Sequence, residues 1–150
     1  MTINDIQETI IGEFSAFDDW MDKYNLLIDL GKDTPAIDPL YKTKDFLIEG
    51  CQSKVWLHPD FDGEKISFTA DSDAIITKGI VALLIRVFSG RTPDEIIGAE
   101  LYFIDRIGLR QNLSPTRSNG LLAMIRQMKL YAMAFKAKSN QFNNGSLRTT

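Results

Sequence analysis

The sequence has only one cysteine, Cys51, and only one histidine, His58. A single cysteine cannot close a disulfide within the chain, so the fold does not depend on oxidation. One cysteine and one histidine also fall short of the set of nitrogen and sulfur ligands that a zinc or similar site requires. We therefore expect neither a disulfide-stapled secreted domain nor a metal centre.

Long apolar runs and a leader-like N-terminus are also missing. The N-terminal segment, where a secretory leader would be apolar, carries acidic residues throughout: Asp5, Glu8, Glu13, Asp18 and Asp19. The longest apolar run, at 79–85, is too short to cross a bilayer. We therefore expect a protein of a reducing compartment, the cytoplasm, with no membrane as its partner.

A surplus of positive charge is absent as well. The net charge is −3 and the pI is about 5.1, which argues against a general binder of nucleic acid or of anionic membranes. With 150 residues, 44% of them hydrophobic, the chain is long enough and apolar enough for a single core. We expect one domain over residues 1–138, followed by a polar and mobile tail at 139–150.

Hydrophobic periodicity predicts helices at both ends of the chain and a small sheet between them. Two helices precede Gly31, with Ser15 as the expected N-cap of the second. Segments at 46–49, 55–57 and 66–69 are rich in strand formers. Further helices are expected at 74–88, after a capping box at Thr92, and from Pro115 onwards. The predicted fold class is α+β, a small antiparallel sheet of about three strands packed against helices.

Cys51 is the first candidate for chemistry. A lone cysteine in a cytosolic protein is most often a small buried hydrophobe. Its neighbours favour a more accessible position, because Gly50 allows unusual backbone angles and Gln52 and Ser53 suit a partly hydrated turn. From these local features alone, a buried hydrophobe and a nucleophile at the tip of a loop both remain open.

Three charged residues and His58 each have two possible roles. Asp71 and Asp73 precede the helix expected at 74, so they either cap it or form a catalytic carboxylate pair, and capping is favoured. Arg117 lies near a helix start, where the helix dipole disfavours a cation. It therefore either forms an ion pair with a neighbouring element or binds a partner. His58 is expected to be an ordinary strand residue with no role in the site.

A more specific signal comes from short segments that occur in a fixed order along the chain. They are WMDKY at 20–24 with Gly31, GCQSKVW at 50–56, DSDA at 71–74 with Gly79, and LSPTRSNGL at 113–121. Together these segments resemble the SufE family of sulfur-acceptor proteins, from about residue 6 to about residue 137.

The resemblance implies both a fold and a function. SufE-like proteins share an α+β fold with the U-type cluster scaffolds. A SufS-like cysteine desulfurase, which uses pyridoxal phosphate (PLP), would take sulfur from free cysteine and pass it to Cys51 as a persulfide. The chain would activate that enzyme and carry sulfur to an iron–sulfur scaffold. The PLP belongs to the partner, so we expect no cofactor in this chain and no free-standing enzyme activity.

The resemblance also suggests roles for residues around Cys51. Residues beside it in the sequence would shape its loop, and charged residues of the other matched segments would serve docking. The loop-shaping residues are Gly50, Gln52 and Ser53, and the docking residues are Asp71, Asp73 and Arg117.

Three other functions compete with a sulfur acceptor. A cluster scaffold needs several cysteine ligands, and this chain has one. A single-cysteine peroxidase or redox sensor needs an activating cation and usually a resolving thiol, and neither is evident. The last alternative is an adaptor protein in which Cys51 has no chemical role.

Overall fold

A computed structural model describes the backbone of residues 1–148 and the side chains as far as residue 140. Two helices open the chain, α1 (Ile3–Ser15) and α2 (Trp20–Lys32). Asp19, and not Ser15 as predicted, is the N-cap of α2. Ser15 still belongs to α1, and its hydroxyl donates to a carbonyl of that helix, so it is not free to cap the next one.

The sheet is a single antiparallel hairpin. Strand β1 (Val55–Phe61) pairs with β2 (Ile66–Ser72) along its whole length. The third strand predicted at 46–49 is reduced to one isolated bridge, between Leu47 and Trp56. A 3-10 turn ends at Phe46 and the next turn begins at Glu49, so only two residues remain between them, too few for a longer ladder. The α+β class is confirmed, with fewer strands than expected.

Helix α3 (Ile75–Phe88) forms the centre of the fold and is buried over most of its surface. It packs against α2 at the point where Gly31 meets Gly79. The two short helices α4 (Pro93–Gly98) and α5 (Phe103–Arg106) follow it. The capping box predicted at Thr92 is present, with Pro93 as the first helical residue.

The last helix, α6 (Pro115–Arg148), starts at the predicted proline. Its helical backbone continues past residue 138 to Arg148, and the domain boundary expected at 138 stays a prediction. The mobility of the segment 139–150 stays a prediction, and Thr149 and Thr150 lie outside the described residues. The N-terminal part of α6 packs beside the loop that carries Cys51.

Candidate functional site

Cys51 lies in a short loop that leads into β1. The amide of Ile48 donates to the carbonyl of Val55 at 2.8 Å and closes the base of this loop. Gly50 has φ +91°, a left-handed conformation that side chains disfavour, and a Cβ there would lie 3.3 Å from the Cβ of Ala123. Gly50 therefore permits both the turn and the close approach of the loop to α6.

The thiol of Cys51 is half-buried against the start of α6. Its Sγ lies 3.6 Å from the carbonyl oxygen of Gly120, to which the thiol donates a weak hydrogen bond. A Cβ at position 120 would lie 3.5 Å from the same sulfur, so glycine leaves space beside the thiol. Burial raises the pKa of the Cys51 thiol above its ordinary value, because the thiolate loses solvation. At rest, Cys51 is therefore mainly a thiol.

A cavity of about 290 Å³ opens beside the sulfur. It is formed by the cysteine loop, the first half of α3 and the first turns of α6. The residues that line it with Cys51 are Gln52, Ser53, Thr77, Ile80, Ser114, Thr116, Arg117, Gly120 and Met124. The fold thus brings Gln52, Ser53 and Arg117 together around Cys51, and the roles assigned to them stay predictions.

Asp71 and Asp73 do not line this cavity, and neither caps α3 as predicted. The N-cap position is Ala74, which has no side-chain acceptor. Strand β2 extends to Ser72, and this places Asp71 within the strand rather than at the helix start. Asp71 and Asp73 therefore do not line the same cavity as Arg117, and the docking role expected for the three residues stays a prediction.

Each aspartate has a different partner. Oδ1 of Asp73 accepts a hydrogen bond from the amide of Lys54 at 3.0 Å, which ties the far end of the cysteine loop to the start of α3. Asp71 forms ion pairs with Lys42 at 2.7 Å and Lys78 at 3.4 Å. Partial burial opposes its charge, but the hydrogen bond from Lys42, with further help from the Ser72 amide and Lys78, lowers the pKa of Asp71 below its ordinary value.

Arg117 is exposed at the mouth of the cavity. Of the two roles considered, an ion pair with Asp71 or Asp73 does not occur among the described side chains. Its backbone amide donates to the hydroxyl of Ser114 at 3.3 Å, so Ser114 caps this helix start. Arg117 lines the cavity, and its guanidinium forms no ion pair with a carboxylate among the described residues.

His58 is a buried strand residue and does not line the cavity. Its ring stacks on Tyr41 with a centroid distance of 3.6 Å and meets the edge of Phe46. Sequence reasoning missed Thr77, Gly120 and Met124 as parts of the site. Thr77 carried one signal, as a hydroxyl residue in a mainly apolar helix, and Gly120 carried another, as part of the matched segment at 113–121.

The fold and the site define an α+β protein with a single half-buried cysteine beside a preformed cavity. The family model described as "SufE: Fe-S metabolism associated domain" matches residues 8–132. The solution structure of a hypothetical protein from Thermus thermophilus is similar, with a TM-score of 0.73 over 88% of this chain and 96% of that one. The sequence identity between these two is 18%, so that comparison supports the fold alone.

Curated relatives support the same family. SufE-like protein 1, chloroplastic/mitochondrial, of Arabidopsis thaliana is 37% identical over 135 residues, which are 89% of this chain and 36% of the relative. An uncharacterized SufE-like protein of Rhizobium meliloti (strain 1021) is 39% identical over 127 residues, which are 81% of this chain and 91% of the relative. This chain therefore belongs to the SufE family, and its role lies in iron–sulfur metabolism.

Within residues 1–148, no helix is both long and apolar enough to cross a membrane. The Arabidopsis relative is named as chloroplastic/mitochondrial, so the cytoplasmic location expected for this chain stays a prediction.

Proposed function

We propose that this protein accepts sulfur from a SufS-like, PLP-dependent cysteine desulfurase, carries it on Cys51 as a persulfide, and delivers it to an iron–sulfur scaffold. The observation that carries the proposal is the single thiol of a SufE-family chain placed beside a cavity large enough for an added sulfur atom. The transfer activates the desulfurase, because it clears the enzyme's own persulfide for the next turnover.

The chemistry needs only one reactive group from this chain. The Cys51 thiolate attacks the outer sulfur of the desulfurase persulfide, and a new sulfur–sulfur bond forms at Cys51. The bond within the donor persulfide breaks, and its electron pair leaves with the thiolate of the desulfurase cysteine. No electrons are gained or lost overall, so no oxidant or reductant is required. PLP acts in the partner, and we propose that this chain holds no cofactor of its own.

The resting geometry suits storage better than attack. The half-buried thiol has a raised pKa and points towards α6, so attack on a persulfide held by the desulfurase requires the loop to open and the thiol to lose its proton. Between transfers, the cavity shields the persulfide from oxidants and stray thiols. Storage requires a covered sulfur and attack requires an exposed one, and movement of the loop allows Cys51 to meet both requirements.

The direct test is an incubation of the protein with a SufS-like desulfurase and free cysteine, followed by intact-mass measurement. We expect the added mass of one sulfur atom, removable by a reducing agent. A redox or adaptor protein with an inert Cys51 would remain unmodified while still binding the desulfurase. Absence of the added mass under turnover conditions would contradict the proposed function.

The raised pKa of Cys51 predicts how its reactivity depends on pH. Because only the thiolate reacts with iodoacetamide, we expect alkylation at about pH 8 to be slower in the folded protein than in denaturant. The rate in the folded protein should still rise with pH after the rate in denaturant has levelled off. By the same linkage, burial of the thiol stabilises the fold below the unfolded pKa, and this contribution is lost as the pH rises through the folded pKa. An earlier plateau in the folded protein would contradict the buried geometry.

The exposed position of Arg117 at the cavity predicts that its removal affects desulfurase binding but not the sulfur-transfer step. We expect Arg117→Ala to weaken desulfurase binding by about tenfold, because a charge at the rim of an interface steers association. Sulfur transfer at saturating concentrations should stay near normal. Arg106→Ala, which removes an exposed cation that does not line the cavity, is the matched control. Binding affinity, single-turnover transfer and melting temperature would be measured together, and lost stability with unchanged binding would show a structural role instead.

Asp71 and Asp73 are proposed to support docking through the elements that they hold. Asp73 restrains the cysteine loop by accepting a hydrogen bond from the Lys54 amide. Asp71 forms ion pairs with both Lys42 and Lys78. Gly50, Gln52 and Ser53 shape the loop itself.

A further inference from the structure

The cavity beside Cys51 is lined by positive charge and by no negative charge among the described residues. Among its described lining residues, one is a cation, Arg117, and none is a carboxylate. Hydroxyl groups of four lining residues, Ser53, Thr77, Ser114 and Thr116, supply further hydrogen-bond donors. Its volume of about 290 Å³ is just below the roughly 300–1,000 Å³ that sites for drug-sized ligands occupy. The lining therefore favours a small anion.

Thr77 gives an independent sign that the cavity takes a ligand. Its side chain is only 6% exposed, and its hydroxyl has no hydrogen-bond partner among the described residues. Every fully enclosed side-chain oxygen or nitrogen in the described part of the chain does have a partner. The Thr77 hydroxyl therefore keeps some free surface, and the space that this residue lines is the cavity. An unpaired hydroxyl at such a depth is unfavourable unless a ligand or water satisfies it.

The start of α6 adds a second set of donors. The amide of Arg117 donates to the hydroxyl of Ser114, and the amide of Ser118 donates to the carbonyl of Ser114. The amide of Thr116 has no acceptor among the described residues. The positive end of a long helix thus faces the same space as Arg117. The positive end of a helix normally disfavours a cation such as Arg117. An anion bound between the guanidinium and the helix start would offset this repulsion.

We propose that the cavity is a binding site for a small sulfur oxoanion, thiosulfate, from which Cys51 takes the outer sulfur without a desulfurase. The sulfonate oxygens would accept hydrogen bonds from Thr77, the Thr116 amide and Arg117. The outer sulfur would then face Sγ of Cys51. This inference rests on the proposed role of Cys51 as a sulfur acceptor and adds a second class of donor to it.

The reaction balances without any other reactant. The Cys51 thiolate attacks the outer sulfur of thiosulfate and forms a sulfur–sulfur bond. The bond between the two sulfur atoms of thiosulfate breaks, and its electron pair leaves on sulfite. The products are the Cys51 persulfide and sulfite, and the proton of the resting thiol passes to the solvent. The donors around the cavity act by stabilising the charge that builds up on the departing sulfite.

The test is to incubate the full chain with thiosulfate alone and to measure both sulfite release and intact mass. We expect stoichiometric sulfite and the mass of one added sulfur atom, at a rate that saturates with thiosulfate and is inhibited competitively by sulfate. Thr77→Val keeps the shape of the side chain and removes the hydroxyl, and we expect it to lower the rate at subsaturating thiosulfate by about tenfold. Thr69→Val, on β2 and outside the cavity, is the control that should react like the wild type.

A parallel incubation with desulfurase and free cysteine separates this inference from the proposed function. Sulfur taken from the desulfurase but none from thiosulfate would overturn the thiosulfate site alone. A rate that rises linearly with thiosulfate, or an equal rate in Thr77→Val, would show that Cys51 attacks thiosulfate from solution and not from the cavity, and would also overturn it. Sulfur from neither donor would overturn the proposed function itself. Melting temperatures of both threonine variants confirm that they are folded.

Discussion

Cys51→Ser is expected to fold like the wild type and to accept no sulfur from a desulfurase. The serine hydroxyl occupies nearly the same space, and it can donate to the carbonyl of Gly120 as the thiol does. Cys51 is only half-buried, so the change in the free energy of unfolding should stay within about 1 kcal/mol. An alkoxide is not formed at neutral pH and an oxygen cannot hold a persulfide, so the loss of transfer should be complete.

Two measurements on one preparation check this prediction: thermal unfolding, and desulfurase turnover with free cysteine. Wild-type protein alkylated at Cys51 is the chemical control, because it blocks the same sulfur without changing the chain. We expect both proteins to lack stimulation of turnover. If Cys51→Ser still stimulated turnover as the wild type does, the chain would be an adaptor and Cys51 would not be the acceptor.

Gly79→Ala is expected to cause a large loss of stability, in contrast to Gly12→Ala. A Cβ at position 79 would lie 2.2 Å from the carbonyl oxygen of Leu27 and 2.7 Å from its carbonyl carbon. Both atoms belong to the backbone of α2, so no rotamer change relieves the clash and the two helices must separate. The cost should be about 3 kcal/mol or more, a large share of the roughly 5–15 kcal/mol that a domain has in total.

Chemical and thermal denaturation measure this effect, with a fall in melting temperature of about 10 °C. Gly12→Ala is the matched control, because Gly12 lies within α1 and a Cβ there would meet nothing within 4 Å. That substitution should stabilise the protein by about 0.5–1 kcal/mol, since alanine favours a helix over glycine. Equal effects of the two substitutions would mean that α2 and α3 are not in backbone contact.

Local features of the sequence predicted the elements whose signals are themselves local. The capping box at Thr92 and the proline start of α6 each depend on residues within one helical turn, and both are confirmed. The capping predictions for Ser15 and Asp71 were wrong because the preceding elements, α1 and β2, extend through these residues. Asp73 lies after β2, but its carboxylate accepts from the amide of Lys54 and the N-cap position is Ala74.

The sequence by itself determined which residue could supply a thiol, and it indicated the family. One cysteine leaves no choice of thiol, and the ordered segments around it, from 20–24 to 113–121, show the resemblance that the family comparison supports. These features can be read along the chain because each depends on residue identity and spacing alone.

Only the tertiary structure decided what surrounds that thiol. The cavity joins the loop of Cys51 with Thr77 of α3 and Arg117 of α6, which are far apart in the sequence. Whether a threonine hydroxyl is paired, or an arginine has a carboxylate partner, depends on which elements pack together and at what distance. Such contacts arise from helix packing over long sequence separations, and no local pattern contains them.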